Sequence, residues 1–179
     1  MDIERQKLIE DLKMLSVKKG VEFTLSSGQT SDIYIDVKQT MLYGPSMYNL
    51  AKLLSHSAKQ FGWYHATAGV PLGGSHLATM VAMYNPPTNV ILIRNEVKDH
   101  GTQKLVEATE CLLFKKVILF EDVITTGQSA IKAAKILEEA GFDIRGIVAV
   151  VDRRADKTPP TLGDYGFRAL VDFEELIEE

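Results

Sequence analysis

From Ile3 to Leu15 the apolar residues Ile3, Leu8, Ile9, Leu12 and Leu15 recur at the spacing of one helix face, which predicts an amphipathic helix with Gly20 as a boundary nearby. The next stretch, VEFTLSSGQTSDIYIDVKQTM, alternates around a Ser-Ser-Gly turn, as short strands or a hairpin do. Ser46 to Gln60 returns to helical spacing. The segment HATAGVPLGGSHLATMVAM opens apolar, breaks at Gly69 and resumes as a helix near Ser75 to Met83. Asn89 to Ile93 is a short, β-branched and unbroken apolar run, and so are Val117 to Phe120 and the GIVAVV run that ends at Asp152. Runs of this kind predict strands buried on both faces. A further helix is expected from Ser129 to Ala140, closed by Gly141, and FRALVDFEELI forms a last apolar segment after the turn at Pro159 and Pro160.

Strands that alternate with helices imply an α/β fold, with a central parallel sheet and helices on both of its faces. In such open sheets ligands sit beyond the carboxyl ends of the strands. The loops expected there are Gly69 to Gly74, Arg94 to Gly101, Glu121 to Gly127 and Asp152 to Arg154. No internal repeat or low-complexity linker divides the chain, and 179 residues suit one domain.

Composition changes this picture little. Apolar residues make up 45% and charged residues 25%, as in ordinary soluble domains, and the net charge of −4 gives no drive toward nucleic acid or an anionic membrane. The start, MDIERQKLIE, lacks the continuous apolar stretch of a signal peptide, and no run is long enough to span a bilayer. The single cysteine, Cys111, fits a reducing cytosol, so a cytoplasmic protein is expected.

The chemistry is concentrated in VILFEDVITTGQSA, residues Val117 to Ala130. A bend between a strand and a helix offers unpaired backbone N–H groups and the positive end of the helix dipole, so TTGQSA is suited to a phosphate. Thr125, Thr126 and Ser129 add hydroxyls, and Gly127 lets the backbone approach closely. The adjacent Glu121 and Asp122 would repel phosphate and are better matched to hydroxyl groups or a divalent cation. A sugar phosphate satisfies both halves. Neither a Walker motif nor GxGxxG is present, which disfavours P-loop hydrolysis and dinucleotide binding.

VILFEDVITTGQSA closely resembles the phosphoribosyl pyrophosphate (PRPP) motif of the type I phosphoribosyltransferases. FTLSSGQTSDIYID, GVPLGG, RNEVKDHG and VVDRR resemble, in turn, the amino-terminal signature, the pyrophosphate loop, the mobile catalytic loop and the base-contacting strand end of the orotate members of that family. The resemblance runs from about Phe23 to Arg153 and implies the type I phosphoribosyltransferase fold: a central, mostly parallel sheet flanked by helices. It also implies a small hood built from about residues 1–40 and the carboxyl-terminal tail of a single domain.

The implied reaction moves the 5-phosphoribosyl group from PRPP to orotate, giving orotidine 5′-monophosphate and pyrophosphate in pyrimidine synthesis. In that reading Glu121 and Asp122 bind the ribose hydroxyls, and Thr125, Thr126, Gly127, Gln128 and Ser129 bind the 5-phosphate. Val70, Pro71, Leu72, Gly73 and Gly74 form the pyrophosphate loop, while Arg94, Lys98 and His100 act with Asp122 in catalysis. Thr125, Arg153 and Tyr34 contact orotate.

Magnesium is implied as cofactor, held mainly by PRPP and water without a direct protein ligand. A homodimer is implied too, each catalytic loop reaching the neighbouring site. His56, His65 and His76 lack metal spacing and read as structural. Three departures thin the positive charge around the leaving group: Asn95 follows the first loop arginine where lysine is frequent, Gly73 stands where many relatives have lysine, and Ser26 where many are basic. Transfer to another base and a non-catalytic PRPP-binding regulator are the alternatives; Arg153 speaks against the first, Lys98 and His100 against the second.

Overall fold

The computed structural model describes residues 1–24, 30–94, 104–109, 115–157 and 161–178. Helix α1 (Asp2–Leu15) leads into strands β1 (Val17–Thr24) and β2 (Thr30–Ile35), then helices α2 (Val37–Leu42) and α3 (Gly44–Lys59). An alternating series follows: β3 (Ala66–Gly69), α4 (Gly73–Tyr84), β4 (Asn89–Ile93), β5 (Val106–Glu107), β6 (Lys116–Ile124), α5 (Gln128–Glu139) and β7 (Asp143–Asp152). The chain ends with β8 (Thr161–Leu162), β9 (Tyr165–Asp172) and α6 (Phe173–Ile177).

Seven strands form one sheet in the order β5-β4-β3-β6-β7-β9-β8. The five inner strands run parallel, as the alternation of strands and helices predicts, and the edge strands β5 and β8 are antiparallel to their neighbours. The unbroken apolar runs are explained by burial on both faces. Val117 to Phe120 are all fully buried in β6. Ile118 and Phe120 pack with Leu8, Leu50, Leu54 and Leu77 of α1, α3 and α4, while Val117 and Leu119 pack with Ala130, Ala134 and Leu137 of α5. The period-two geometry of a strand divides its side chains between these two cores.

The expected hairpin is present as an antiparallel β1–β2 pair, with Val17 opposite Ile35 and Thr24 opposite Thr30. It begins earlier than the alternating pattern does, because Lys18 and Lys19 pair through their backbones without an apolar signature. Four other boundaries differ from the sequence reading. Val37–Leu42 forms a helix rather than the end of the alternating segment, α4 starts at Gly73, and β6 continues through the acid pair to Ile124. FRALVDFEELI divides into β9 and α6 at Asp172, whose N–H donates to the Glu175 carboxylate at 2.9 Å.

The two ends of the chain meet. Arg5 of α1 makes two hydrogen bonds to the Glu175 carboxylate, at 2.9 and 2.6 Å, and a third to the Leu170 carbonyl at 2.9 Å. Among the described residues no helix is long and apolar enough to cross a membrane.

Phe120 is the largest side chain with no exposure in the β6 core. Phe120→Ala is expected to cost about 3–5 kcal/mol of folding stability, read as a lower urea midpoint with an unchanged denaturant slope.

Candidate active site

The ends of β3, β6 and β7 stand side by side because β6 pairs in register with both neighbours: Phe120 lies opposite Gly69, and Ile124 opposite Asp152. Backbone hydrogen bonds then tie the departing loops to β6. Val70 N–H donates to the Phe120 carbonyl at 3.0 Å, and Arg153 N–H to the Ile124 carbonyl at 2.7 Å. Three of the four expected loops therefore converge on the tip of one strand.

The acid pair lies within that tip. Glu121 is only 6% exposed, and its Oε1 accepts the Asp122 N–H at 3.0 Å. Burial, reinforced by the Asp122 carboxylate beside it, pushes the Glu121 carboxyl up to about 9. Asp122 is half-buried, and its Oδ1 accepts the Val123 N–H at 2.9 Å. Its Oδ2 lies 3.9 Å from Nζ of Lys38, a residue on α2 that the sequence reading passes over. Lys38 is held in turn by Asp36, whose Oδ1 is 2.7 Å from the ammonium, and this hydrogen bond raises the lysine pKa.

Beyond the acids the chain turns through Thr125 and Thr126 into α5. Gly127, at φ 76°, occupies the left-handed region, and a Cβ there would come within 2.7 Å of Leu162 Cδ2. Both constraints select glycine. Thr126 Oγ1 accepts the Gln128 N–H at 3.4 Å, and Thr126, Gln128 and Ser129 are exposed at the start of the helix. The first amides of a helix have no intrahelical acceptor, so the bend offers donors to an anion.

The loop from Val70 to Gly74 packs onto the same tip, with a cis peptide between Pro71 and Leu72. A Cβ at Gly73 would stand 2.6 Å from Asp122 Cγ, and one at Gly74 would overlap the Phe120 carbonyl. The loop backbone thus lies directly against the acid pair.

The two arginines after β7 differ. Arg154 is nearly buried and pairs with Asp152, from Nε at 3.0 Å and from Nη2 at 2.8 Å, above the Phe167 ring. Arg153 instead donates to Ser31 Oγ at 2.8 Å and lies over the Phe173 ring, 4.5 Å from its centroid. Among the described residues no carboxylate is within ion-pair distance of Arg153. Its fork is therefore available to a ligand, next to the β1–β2 hairpin.

A phosphoribosyl transferase domain model matches residues 66–177. The orotate phosphoribosyltransferase of Corynebacterium glutamicum (strain R) is 37% identical over 175 residues, which is 96% of this chain and 93% of that protein. The chain belongs to the orotate phosphoribosyltransferases. The member from Pyrococcus furiosus is 39% identical over 87% of this chain and 86% of its own length. Among solved structures, the orotate phosphoribosyltransferase of Mycobacterium tuberculosis superposes with a TM-score of 0.80 at 29% identity, covering 98% of this chain and 99% of that one. A phosphoribosyltransferase from Corynebacterium diphtheriae superposes at 0.81 with 26% identity, covering 97% and 98%.

Against the family pattern, Glu121, Asp122, the Thr125 to Ser129 bend, the Val70 to Gly74 loop and Arg153 lie around one strand tip. Arg94 is further out: it pairs with Glu107 of β5, its Nε 2.7 Å from Oε1, and lines a cavity of about 180 Å³ with Val70, Pro71 and Ser129. Tyr34 stacks on Phe23 across the hairpin, with ring centroids 5.1 Å apart and planes inclined by 28°. Lys98, His100, Asn95 and Ser26 lie outside the described residues. His76 Nδ1 donates to the Leu72 carbonyl at 3.0 Å, within the loop's own first helical turn.

The Glu121 shift has a stability consequence with a definite sign. A carboxyl that titrates near 9 when folded and near 4.5 when unfolded keeps a proton in the native state that the unfolded chain releases. Stability therefore falls as pH rises between those values. Glu121→Gln removes this dependence, so the mutant's urea midpoint is expected to overtake that of the wild type progressively from pH 5 to 9; parallel curves would rule out the assignment.

Proposed function

We propose that the tip of β6 and the bend into α5 hold PRPP while its ribosyl group passes to orotate, the reaction of the family, giving orotidine 5′-monophosphate and pyrophosphate. The single observation that carries this reading is the meeting of the acid pair, the α5 bend and Arg153, which has no carboxylate partner among the described residues, at one strand tip. The related M. tuberculosis enzyme, 25% identical to this chain and superposing with a TM-score of 0.74, has been solved in complex with PRPP, which supports placing that substrate in this fold.

The 5-phosphate accepts from the amides of Thr126 to Ser129 and from the threonine and serine hydroxyls. The acids take the ribose hydroxyls. A Glu121 carboxyl that keeps its proton donates to one hydroxyl oxygen, and the Asp122 carboxylate accepts from another. As the bond from C1 to the diphosphate breaks and a ring nitrogen of orotate bonds to C1, giving up its proton to the departing diphosphate, positive charge grows on the sugar beside Asp122. Negative charge grows on the departing diphosphate, which faces the Val70 to Gly74 backbone. Lys98 and His100, with Arg94 released from Glu107, are assigned to that diphosphate by resemblance. Arg153 grips the orotate carboxylate with two parallel hydrogen bonds.

Magnesium fits as a companion of the substrate. Among the described residues no group of three or more His, Cys, Asp or Glu side chains is placed to hold a metal ion, and Lys38 stands near Asp122. The ion is assigned to the diphosphate oxygens and water, where it would neutralise leaving-group charge.

A homodimer is supported by an apolar face around a cavity of about 540 Å³. Leu42, Leu72 and Leu92, exposed by 76%, 65% and 46%, and Met47 all border it. A patch of this kind is suited to a second copy. The reading takes the protein as cytoplasmic, in keeping with its single cysteine.

Loss of ultraviolet absorbance by orotate, in the presence of PRPP and magnesium, tests the function directly. Arg153→Ala is expected to raise the KM for orotate roughly 10- to 100-fold, the value of a charge-assisted hydrogen bond pair, with little change in the KM for PRPP. No orotate consumption by the wild type, or preference for a neutral purine, would overturn the reading.

A further inference from the structure

Lys38 is the one described cation in ion-pair reach of the acid pair, and it comes from α2 rather than from any loop at the sheet edge. Its Nζ is 3.9 Å from Asp122 Oδ2, too far for a hydrogen bond, so Asp122 does not consume its donors. An ammonium has three donors. Asp36 Oδ1, 2.7 Å from the ammonium, pairs with it and anchors the side chain, which is 40% exposed.

Its position relative to the Val70 to Gly74 loop is specific. With Leu72, Ser75 and His76 it lines the cavity of about 540 Å³ at the start of α4. The loop itself carries no basic residue. Nor can it acquire one at position 73 in this conformation, because a Cβ there would stand 2.6 Å from Asp122 Cγ. The space that a side chain from the loop would enter is filled by the acid, and the ammonium that faces the acid is delivered from the other side by α2.

We infer that Lys38 is a substrate-binding residue for the diphosphate of PRPP, donating to a diphosphate oxygen beside the Val70 to Gly74 loop. The same ammonium separates the Asp122 carboxylate from the diphosphate, two anions that otherwise repel at close range. Asp36 is a positioning residue for it. The inference rests on the reading of this site as a PRPP site.

Calorimetric titration distinguishes binding to the diphosphate from simple support of Asp122, using PRPP, pyrophosphate and ribose 5-phosphate as separate probes. Lys38→Met is expected to weaken PRPP and pyrophosphate roughly 10- to 100-fold, with ribose 5-phosphate changed less than about threefold, and Lys38→Arg to restore most of the loss. Unchanged PRPP affinity in Lys38→Met would overturn the role, as would an equal loss for ribose 5-phosphate. If Lys38→Met fails to fold, a crystal structure of the wild type with PRPP decides: Nζ is expected within about 3.2 Å of a diphosphate oxygen, and an ammonium still directed only at Asp36 would overturn the inference. Orotate consumption by the wild type is the control. Its absence would sink the functional reading, whereas an active wild type beside an unaffected Lys38→Met sinks only the role of Lys38.

Discussion

The site depends on one constraint, the burial of β6 on both faces between parallel neighbours. Because β3 and β7 pair with it in register up to Gly69 and Asp152, the loops that leave all three strands start from one place. The two cores, one lined by α1, α3 and α4 and the other by α5, hold the strand from above and below. A rigid strand carrying its acids at its own end fixes them more tightly than a loop would, and preorganised groups of this kind lose little freedom when substrate arrives.

That arrangement works against stability. A carboxyl as buried as Glu121 loses hydration, and its backbone hydrogen bond does not restore it, so the group keeps its proton instead. Next to it, Asp122 is crowded by the Gly73 backbone and balanced by Lys38 at a distance. Elsewhere the acids are paired, Asp152 with Arg154 and Glu175 with Arg5. Arg153 has no carboxylate partner among the described residues, and that is the group expected to meet a charged base.

Much of this was legible in the chain itself. The branched apolar runs mark the inner strands because burial on both faces leaves no room for alternation, and the Glu-Asp-to-TTGQSA transition marks the site because few other roles suit acids beside an amide-rich bend. The limits of legibility have equally physical causes. Acids commonly terminate strands, so the continuation of β6 to Ile124 depends on pairing with β7 that local sequence does not display. Val37–Leu42 carries the polar and apolar mixture of a strand edge yet coils into α2, because Val37, Thr40 and Met41 are buried together. Lys38 meets Asp122 only through that coil, and VVDRR cannot say which arginine Asp152 will capture. Lys98 and His100, read from the loop motif, lie outside the described residues.

The central physical claim is that the strand-tip carboxyls and the amides just past them grasp a phosphorylated sugar as one unit. Amide NMR of the isotope-labelled protein during titration with ribose 5-phosphate tests it most directly. The account predicts saturable shifts centred on the amides of Asp122 and of Thr126 to Ser129; shifts confined to another surface, with these amides unmoved at saturation, would contradict it.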